Sequence, residues 1–300
     1  MAGGLIRRVE RGLDLTSPMR GSVRGAAGEV VLRGTPLGRR VRRAAATFVG
    51  AFGRVGEGTL PIVFLPGIGT SPDAYVLLTY FMRAAGFHFH VVDTRWASTA
   101  SVRSDAQLAA RTAVWAMREV GADSYVLSGY SRGGLGMETL RLERPEDFVH
   151  VAAMVFVDSP IYQPPNGAQV PPALRLLAGV SRHVTSGGRE LVRTDLWQRL
   201  VATREEGLRA AHATRSDFRA IAIQARPDVV PHAMSMLPVI DGVTDNVRAR
   251  PASAGHMIGM GSVPEFDQQL ALLYAGLPAN DARLNQRDRS RAADRAVQRV

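Results

Sequence analysis

Short apolar runs alternate with amphipathic helical patterns through the middle of the chain. Buried strands are predicted at 60–65, 87–92, 125–127, 151–157, 218–224 and 246–250. Helices are predicted at 72–85, 105–120, 135–142 and 264–274; in the first of them, Tyr75, Leu78 and Phe81 recur at helical spacing. Strands that alternate with helices of this length predict an α/β fold with a mostly parallel central sheet and right-handed crossovers.

The alternation breaks at residues 159–219. This segment opens with a Pro- and Gly-rich sequence and continues as helical pieces around 174–180 and 190–213, without a clear strand. A long helical insertion after a sheet strand predicts a cap over the carboxyl edge of the sheet. Its apolar side chains would line a pocket at that edge: Leu174, Leu176, Leu177, Leu196, Trp197 and Leu200.

The stretch at 124–134 contains the pattern G-x-S-x-G, which runs from Gly129 to Gly133 with Ser131 at its centre. A predicted strand leads into it and a predicted helix follows, which is the context of a nucleophile elbow. The two glycines are expected there because a strained turn leaves no room for neighbouring side chains. The pentapeptide alone is a weak signal, and the alternative is a Gly-rich turn that happens to contain a serine.

A serine nucleophile needs an imidazole base, and the imidazole needs a carboxylate that orients it. Loops at the carboxyl ends of parallel strands converge on one crevice, so both partners are sought there. His256, in a loop of small residues after the last strand, is the predicted base, with His232 next. The predicted acid is Asp228, which follows the strand at 218–224. The alternatives for the acid are three other loop aspartates: Asp158, Asp241 and Asp245.

The oxyanion of an acyl-transfer intermediate needs preorganised N–H donors. The residue after the nucleophile supplies one, the backbone N–H of Arg132, and the turn after the first strand supplies the other, the backbone N–H of Ile68. That turn reads P-G-I-G and lacks the Lys-Ser/Thr of a P-loop and the G-x-G-x-x-G spacing of a dinucleotide site. We therefore expect no nucleotide cofactor at this turn. The Arg132 side chain is open to two interpretations: selection of an anionic substrate, or pairing with an acid.

Composition changes this picture only at the two ends of the chain. The 300 residues are 46% hydrophobic, contain no cysteine and carry a net charge of +10. The excess of arginine lies at 1–57 and 279–300, which we assign to a basic extension and a basic tail around a domain at 58–278. These ends predict at most weak contact with a membrane surface, and no nucleic-acid partner is expected. Without a clear signal peptide or membrane span, a cytoplasmic location is expected.

Five segments occur in an order that resembles the α/β-hydrolase superfamily and, within it, bacterial lipases and esterases. They are P-I-V-F-L-P-G-I-G at 61–69, G-Y-S-R-G-G at 129–134, V-F-V-D-S-P at 155–160, D-V-V-P at 228–231 and G-H at 255–256. The resemblance implies hydrolysis of a small-molecule or lipid ester through an acyl-enzyme, without metal or cofactor. Pro66 and Tyr130 stand where many lipases have histidine. Acyl transfer, thioester hydrolysis and non-catalytic binding on the same fold are the alternatives.

Overall fold

The computed structural model describes residues 35–67, 70, 72–94, 101–159, 194–224, 235–248 and 264–278. Six strands in these ranges form one sheet in the order β2-β1-β3-β4-β5-β6, and every neighbouring pair is parallel. The strands are β1 Ile62–Leu65, β2 Phe89–Val91, β3 Tyr125–Tyr130, β4 Val151–Val157, β5 Arg219–Gln224 and β6 Thr244–Arg248. The predicted parallel α/β sheet is confirmed.

Helices cover both faces of this sheet. They are α1 Pro36–Phe52, α2 Val76–Ala84, α3 Val102–Val120, α4 Gly133–Glu143, α5 Pro145–Phe148, α6 Thr194–Thr214 and α7 Pro264–Ala275; a 3₁₀ turn at Pro72–Tyr75 precedes α2. Successive side chains of a strand point to opposite faces, and a parallel sheet covered on both faces is apolar throughout. This explains why the strands read as continuous apolar runs.

Two hydrophobic cores result from this arrangement. On one face, side chains of α1, α2 and α7 pack against strand residues such as Phe64 and Val155. On the other face, side chains of α3, α4 and α6 pack against residues such as Leu65 and Phe156. The elbow at the end of β3 therefore lies between two packed layers, which hold its backbone in place.

The helix α1 belongs to the packed domain, although its sequence lies within the basic extension assigned to 1–57. Thr35 caps it by accepting a hydrogen bond from the Gly38 N–H at 3.0 Å. Val41 and Phe48 are buried, and the Phe48 ring lies 5.4 Å from the ring of Phe81 in α2. The exposed face carries three arginines: Arg39, Arg40 and Arg43. The apolar stripe, rather than the arginine content, decides where this helix lies.

Part of the predicted cap is described. Residues 194–214 form the single helix α6, in which Leu200 and Leu208 are fully buried, while residues 160–193 lie outside the described part of the chain. None of the helices in the described ranges is both long enough and apolar enough to cross a bilayer.

Candidate active site

The turn between β3 and α4 carries Ser131 at its apex. Its φ of 51° lies in the left-handed region that side chains disfavour, and Asp158, at 45°, is the other non-glycine residue there within the described ranges. The Ser131 N–H donates to the Val157 carbonyl oxygen at 2.9 Å, and the Gly134 N–H donates to the Ser131 carbonyl oxygen at 3.1 Å. A strained serine held at both ends of its backbone is the geometry of a nucleophile elbow.

Gly129 and Gly133 lie where a side chain would collide with neighbouring backbone. An ideal Cβ on Gly129 would lie 2.6 Å from the carbonyl carbon of Gly133. One on Gly133 would lie 2.9 Å from the carbonyl carbon of Leu65 in β1, and still closer to its oxygen. The sharp turn therefore requires the absence of a side chain at both positions.

Gly133→Ala is expected to destabilise the protein by about 1–3 kcal/mol, because backbone rather than a flexible side chain must move to admit the methyl group. Gly50→Ala in α1 is the matched control. A Cβ at Gly50 would meet nothing within 4 Å, so the helix propensity of alanine should leave stability unchanged or raise it by about 0.5–1 kcal/mol. Urea unfolding of both variants measures the difference, and equal midpoints would contradict the packing argument.

Gly67, just after β1, lies directly beside Ser131. β1 pairs in parallel with β3, with Leu65 opposite Gly129, so the two strands end at the same level. An ideal Cβ on Gly67 would lie 3.2 Å from the Ser131 Cβ and 2.9 Å from the Tyr130 ring. Only a glycine lets the backbone approach this closely. Ile68, the predicted oxyanion donor in this turn, lies outside the described residues.

Two hydroxyl groups hold this turn, which we call the Gly67 turn and define by Gly67 and Thr70. The Gly67 N–H donates to the Tyr75 hydroxyl oxygen at 3.0 Å, and the Thr70 hydroxyl donates to the Gly67 carbonyl oxygen at 2.6 Å. The two hydroxyl oxygens are 3.0 Å apart. Burial raises the pKa of Tyr75 to about 12, so its hydroxyl stays protonated.

The Arg132 side chain forms a buried ion pair with Asp105 in the first turn of α3. Arg132 is 1% exposed and Asp105 2%. Of the two sequence interpretations of this arginine, the structure shows the pairing with an acid. The guanidinium is thus committed to the domain interior, and the ion pair ties the elbow to α3.

A second buried ionic cluster ties the helix after the elbow to α6. The Glu138 carboxylate accepts from Arg141 Nη2 at 2.8 Å, and Arg204 Nε of α6 lies 3.3 Å from Glu138 Oε1. Arg141 Nη1 also donates to the Thr203 carbonyl oxygen at 3.1 Å. Glu138 is fully buried and Arg204 is 1% exposed. The register of α6 on α4 is therefore specified by charge as well as by apolar packing.

The carboxyl end of β4 lies next to the elbow and carries Asp158. This residue is fully buried, and its N–H donates to the Ile223 carbonyl oxygen of β5 at 2.9 Å. The following Ser159 hydroxyl donates to the Gly129 carbonyl oxygen at 3.0 Å. Asp158, one of the alternative acids, is thus positioned on the same sheet edge as Ser131.

The predicted acid and base, Asp228 and His256, lie outside the described residues, as does His232. The strands that lead to them are described: β5 ends at Gln224 and β6 at Arg248. Because all six strands are parallel, the chain leaves β5 and β6 at the same edge of the sheet as it leaves β3 at the elbow, and residues 225–234 and 249–263 follow from there.

Two alternative acids lie at the opposite edge. Asp241 is exposed in the turn that precedes β6, and Asp245, near the start of β6, pairs with Arg219 at the start of β5 at 2.8 Å. A strand of five or six residues spans about 16–20 Å, so these carboxylates are too far from the carboxyl ends to orient a base there. The sequence predicts loop positions for both residues, but the direction of the strands excludes them as the acid that orients the base.

Three of the histidines in the described ranges make contacts that fit a structural role. His90 is buried with its ring centroid 4.8 Å from that of Trp115, and burial lowers its pKa to about 3. The Nδ1 of His150 lies 3.0 Å from the Asp123 carbonyl oxygen, and that of His212 lies 3.3 Å from the Phe218 carbonyl oxygen. His150 directly precedes β4 and Phe218 directly precedes β5, so both contacts are at the amino edge, away from Ser131.

The last helix is tied to the elbow strand by a buried hydroxyl pair. The Tyr274 hydroxyl oxygen of α7 lies 2.6 Å from Ser128 Oγ, which donates to the Val155 carbonyl oxygen at 3.2 Å. Since the one Ser128 hydrogen is used there, Tyr274 is the donor to Ser128. This bond therefore holds α7 against β3.

No family model matches the chain, and its sequence matches no curated protein. Solved structures do match. A lipase of Bacillus licheniformis in its mature form is 14% identical with a TM-score of 0.50; the match covers 71% of this chain and 92% of the lipase. Lipase B of Aspergillus fumigatus is 15% identical with a TM-score of 0.53, and the match covers 80% of this chain and 58% of the fungal enzyme. The chain therefore spans a little over half of that second protein.

With its parallel sheet, its elbow after β3 and these structural neighbours, the chain has the α/β-hydrolase fold. The fold expected from the resemblance in sequence is confirmed.

Proposed function

We propose that the protein is a serine hydrolase of carboxylic esters, with Ser131 as nucleophile, His256 as general base and Asp228 as the acid that orients the base. The strained elbow carries this proposal. A serine side chain at φ 51°, between two obligatory glycines and beside the backbone of the Gly67 turn, is an arrangement that packing alone does not require. The two structural neighbours are named as lipases. The ester substrate class in this proposal is taken from them.

In the proposed mechanism, Ser131 Oγ attacks the ester carbonyl carbon while His256 accepts the hydroxyl proton. The tetrahedral oxyanion accepts hydrogen bonds from the backbone N–H groups of Ile68 and Arg132. Collapse of this intermediate breaks the bond to the alkoxide, which leaves as the alcohol with the proton from His256. Water then attacks the acyl-enzyme carbonyl while His256 accepts its proton, and collapse of the second tetrahedral intermediate releases the carboxylic acid as His256 returns the proton to Ser131 Oγ.

The Arg132–Asp105 ion pair supports an uncharged acyl group over an anionic one. The Arg132 guanidinium is 1% exposed and its charge is compensated by the Asp105 carboxylate, so it attracts a substrate anion only weakly. The elbow would then present the backbone N–H of this residue, rather than its side chain, to the substrate carbonyl.

Active-site labelling tests the proposal directly. A fluorophosphonate should modify the full-length protein once, and peptide mapping should place the label on Ser131. Ser131→Ala should lose the label, whereas Ser216→Ala, the same change at an exposed serine in the turn between α6 and β5, should keep it. Label that persists in Ser131→Ala would refute the assignment of the nucleophile.

Product assays separate the alternatives that share this nucleophile. Release of free acid from p-nitrophenyl esters supports hydrolysis, whereas transfer of the acyl group to an added alcohol supports an acyltransferase, and faster turnover of thioesters supports a thioesterase. A non-catalytic binding protein on this fold would give no covalent label at all. Weak membrane-surface contact through the basic ends stays a prediction, as does a cytoplasmic location.

A further inference from the structure

Three hydrogen bonds join Gly67, Tyr75 and Thr70 in a closed ring, and the hydrogens in this ring can be assigned. The Gly67 N–H can only donate, so the Tyr75 oxygen accepts at 3.0 Å. The Gly67 carbonyl can only accept, so Thr70 donates at 2.6 Å. Because the one hydroxyl hydrogen of Thr70 is used there, Tyr75 donates to Thr70 across the 3.0 Å contact. The three bonds thus run in one direction, from the Gly67 N–H through Tyr75 and Thr70 to the Gly67 carbonyl, an order in which hydrogen bonds strengthen one another.

The ring holds residue 67 on both sides, through its N–H and through its carbonyl. That carbonyl belongs to a planar amide whose N–H is the backbone N–H of residue 68. A hydrogen bond that holds this oxygen therefore also restrains rotation of the whole amide plane. This N–H is the oxyanion donor in the proposed mechanism, and Gly67 lies close enough to Ser131 that an ideal Cβ would be 3.2 Å from the serine Cβ.

A glycine turn without such support samples many backbone conformations. An oxyanion donor is effective only when it is fixed before the reaction, since reorganisation during the reaction would consume the stabilisation. Tyr75 is itself held in place: it is fully buried, and its ring centroid lies 5.2 Å from that of Phe64 and 6.3 Å from that of Tyr130. Because the Tyr75 ring is fixed by the core, its hydroxyl group is a rigid hydrogen-bond partner for the Gly67 turn.

We propose that Tyr75 and Thr70 are positioning residues for the oxyanion site, and that they orient its amide donor by closing the hydrogen-bond ring around Gly67. The inference rests on the proposed function, because a fixed donor matters only if an oxyanion forms beside Ser131. Neither side chain contacts the substrate in this role, so both act through the backbone.

The test compares Tyr75→Phe and Thr70→Val with the wild-type protein in p-nitrophenyl ester hydrolysis. Removal of one donor from an oxyanion site lowers kcat by about 10²–10³-fold, so a donor that is present but misdirected should lower kcat by about 10- to 100-fold. KM should stay within about twofold, because the oxyanion exists only after attack. Thr70→Ser keeps the hydroxyl and should restore activity to within about threefold of wild type.

An alkylboronic acid supplies a second measurement, because its tetrahedral adduct with Ser131 places an oxygen where the oxyanion forms. Its inhibition constant should rise in Tyr75→Phe and Thr70→Val by about the same factor as kcat/KM falls. The double variant should be no slower than the slower single variant, since either change opens the ring.

Tyr274→Phe is the matched control. It removes a buried tyrosine hydroxyl that is bonded to another hydroxyl, Ser128, but it leaves the Gly67 turn intact. Its kcat should stay within about threefold of wild type, although its loss of stability should resemble that of Tyr75→Phe.

Each outcome distinguishes between the two proposals. A wild-type protein without ester turnover would overturn the proposed function and this inference together. An active wild type with Tyr75→Phe and Thr70→Val at unchanged kcat would overturn this inference alone. The positioning role is also overturned if KM rises without a fall in kcat, or if Tyr274→Phe is as slow as Tyr75→Phe.

Discussion

Replacement of Ser131 by glycine is expected to abolish ester hydrolysis and at the same time to stabilise the protein. Loss of the proposed nucleophile should lower kcat by about 10⁴-fold or more. Stability should rise because Ser131 has a φ of 51°, where a Cβ costs about 1–2 kcal/mol and glycine carries no such penalty. The strained backbone at residue 131 thus lowers the stability of the fold while it positions one hydroxyl group.

Ser131→Ala separates these two effects. Alanine removes the hydroxyl and should be equally inactive, but it keeps the Cβ and therefore the backbone strain. Urea unfolding should show Ser131→Gly to be more stable than Ser131→Ala by about 1 kcal/mol, with both inactive. Ester turnover that survives in either variant would refute Ser131 as nucleophile. Equal stabilities would show that the turn carries no strain from the side chain.

Much of the fold could be predicted because its signals are local. Continuous apolar runs predict strands buried on both faces, and the helix α3 shows its apolar spacing within a single stretch of sequence. The elbow was also predictable, since a strand, G-x-S-x-G and a helix lie next to one another in the chain. The arginines of α1 dominate its composition and favour an extension, whereas the buried stripe of Val41 and Phe48 determines its place in the core.

The contacts that support the elbow could not be predicted, because they join residues that are distant in sequence. Asp105 and Arg132 are 27 positions apart, and nothing in the local sequence of α3 marks its first-turn aspartate as the partner of the elbow arginine. Tyr75 reads as an ordinary apolar position of a helical stripe, yet its hydroxyl holds the Gly67 turn. Spacing indicates which face of a helix is buried, but the polar atom at the tip of a buried side chain finds its partner only in three dimensions.

Two buried ionic contacts support the elbow and the helix that follows it. Asp105–Arg132 ties it to α3, and Glu138, with Arg141 and Arg204, ties α4 to α6. Such pairs add little net stability compared with apolar packing, but a missing partner is costly. They therefore act against alternative packings: a shift of α3 relative to the elbow would separate the Arg132 guanidinium from the Asp105 carboxylate.

Asp105→Asn is expected to destabilise the protein by about 3–5 kcal/mol, because it leaves the Arg132 guanidinium in the interior without the Asp105 carboxylate. The matched control is Asp245→Asn, which breaks the ion pair with Arg219. That pair has its side chains 45% and 46% exposed, so its loss should change the free energy of unfolding by less than about 1 kcal/mol. Urea unfolding of the two variants at one ionic strength measures the contrast.

The double variant Asp105→Leu/Arg132→Met tests the physical reason for this effect. Both charges of the pair are replaced by apolar groups of similar shape, so neither partner remains as a buried charge, and most of the stability lost in Asp105→Asn should return. If the double variant is as unstable as the single variant, the destabilisation comes from packing and not from the buried charge. A purely structural ion pair would leave kcat unchanged once stability is restored. A stable double variant with a reduced kcat would therefore show that the pair also holds the backbone N–H of residue 132 in line with the oxyanion.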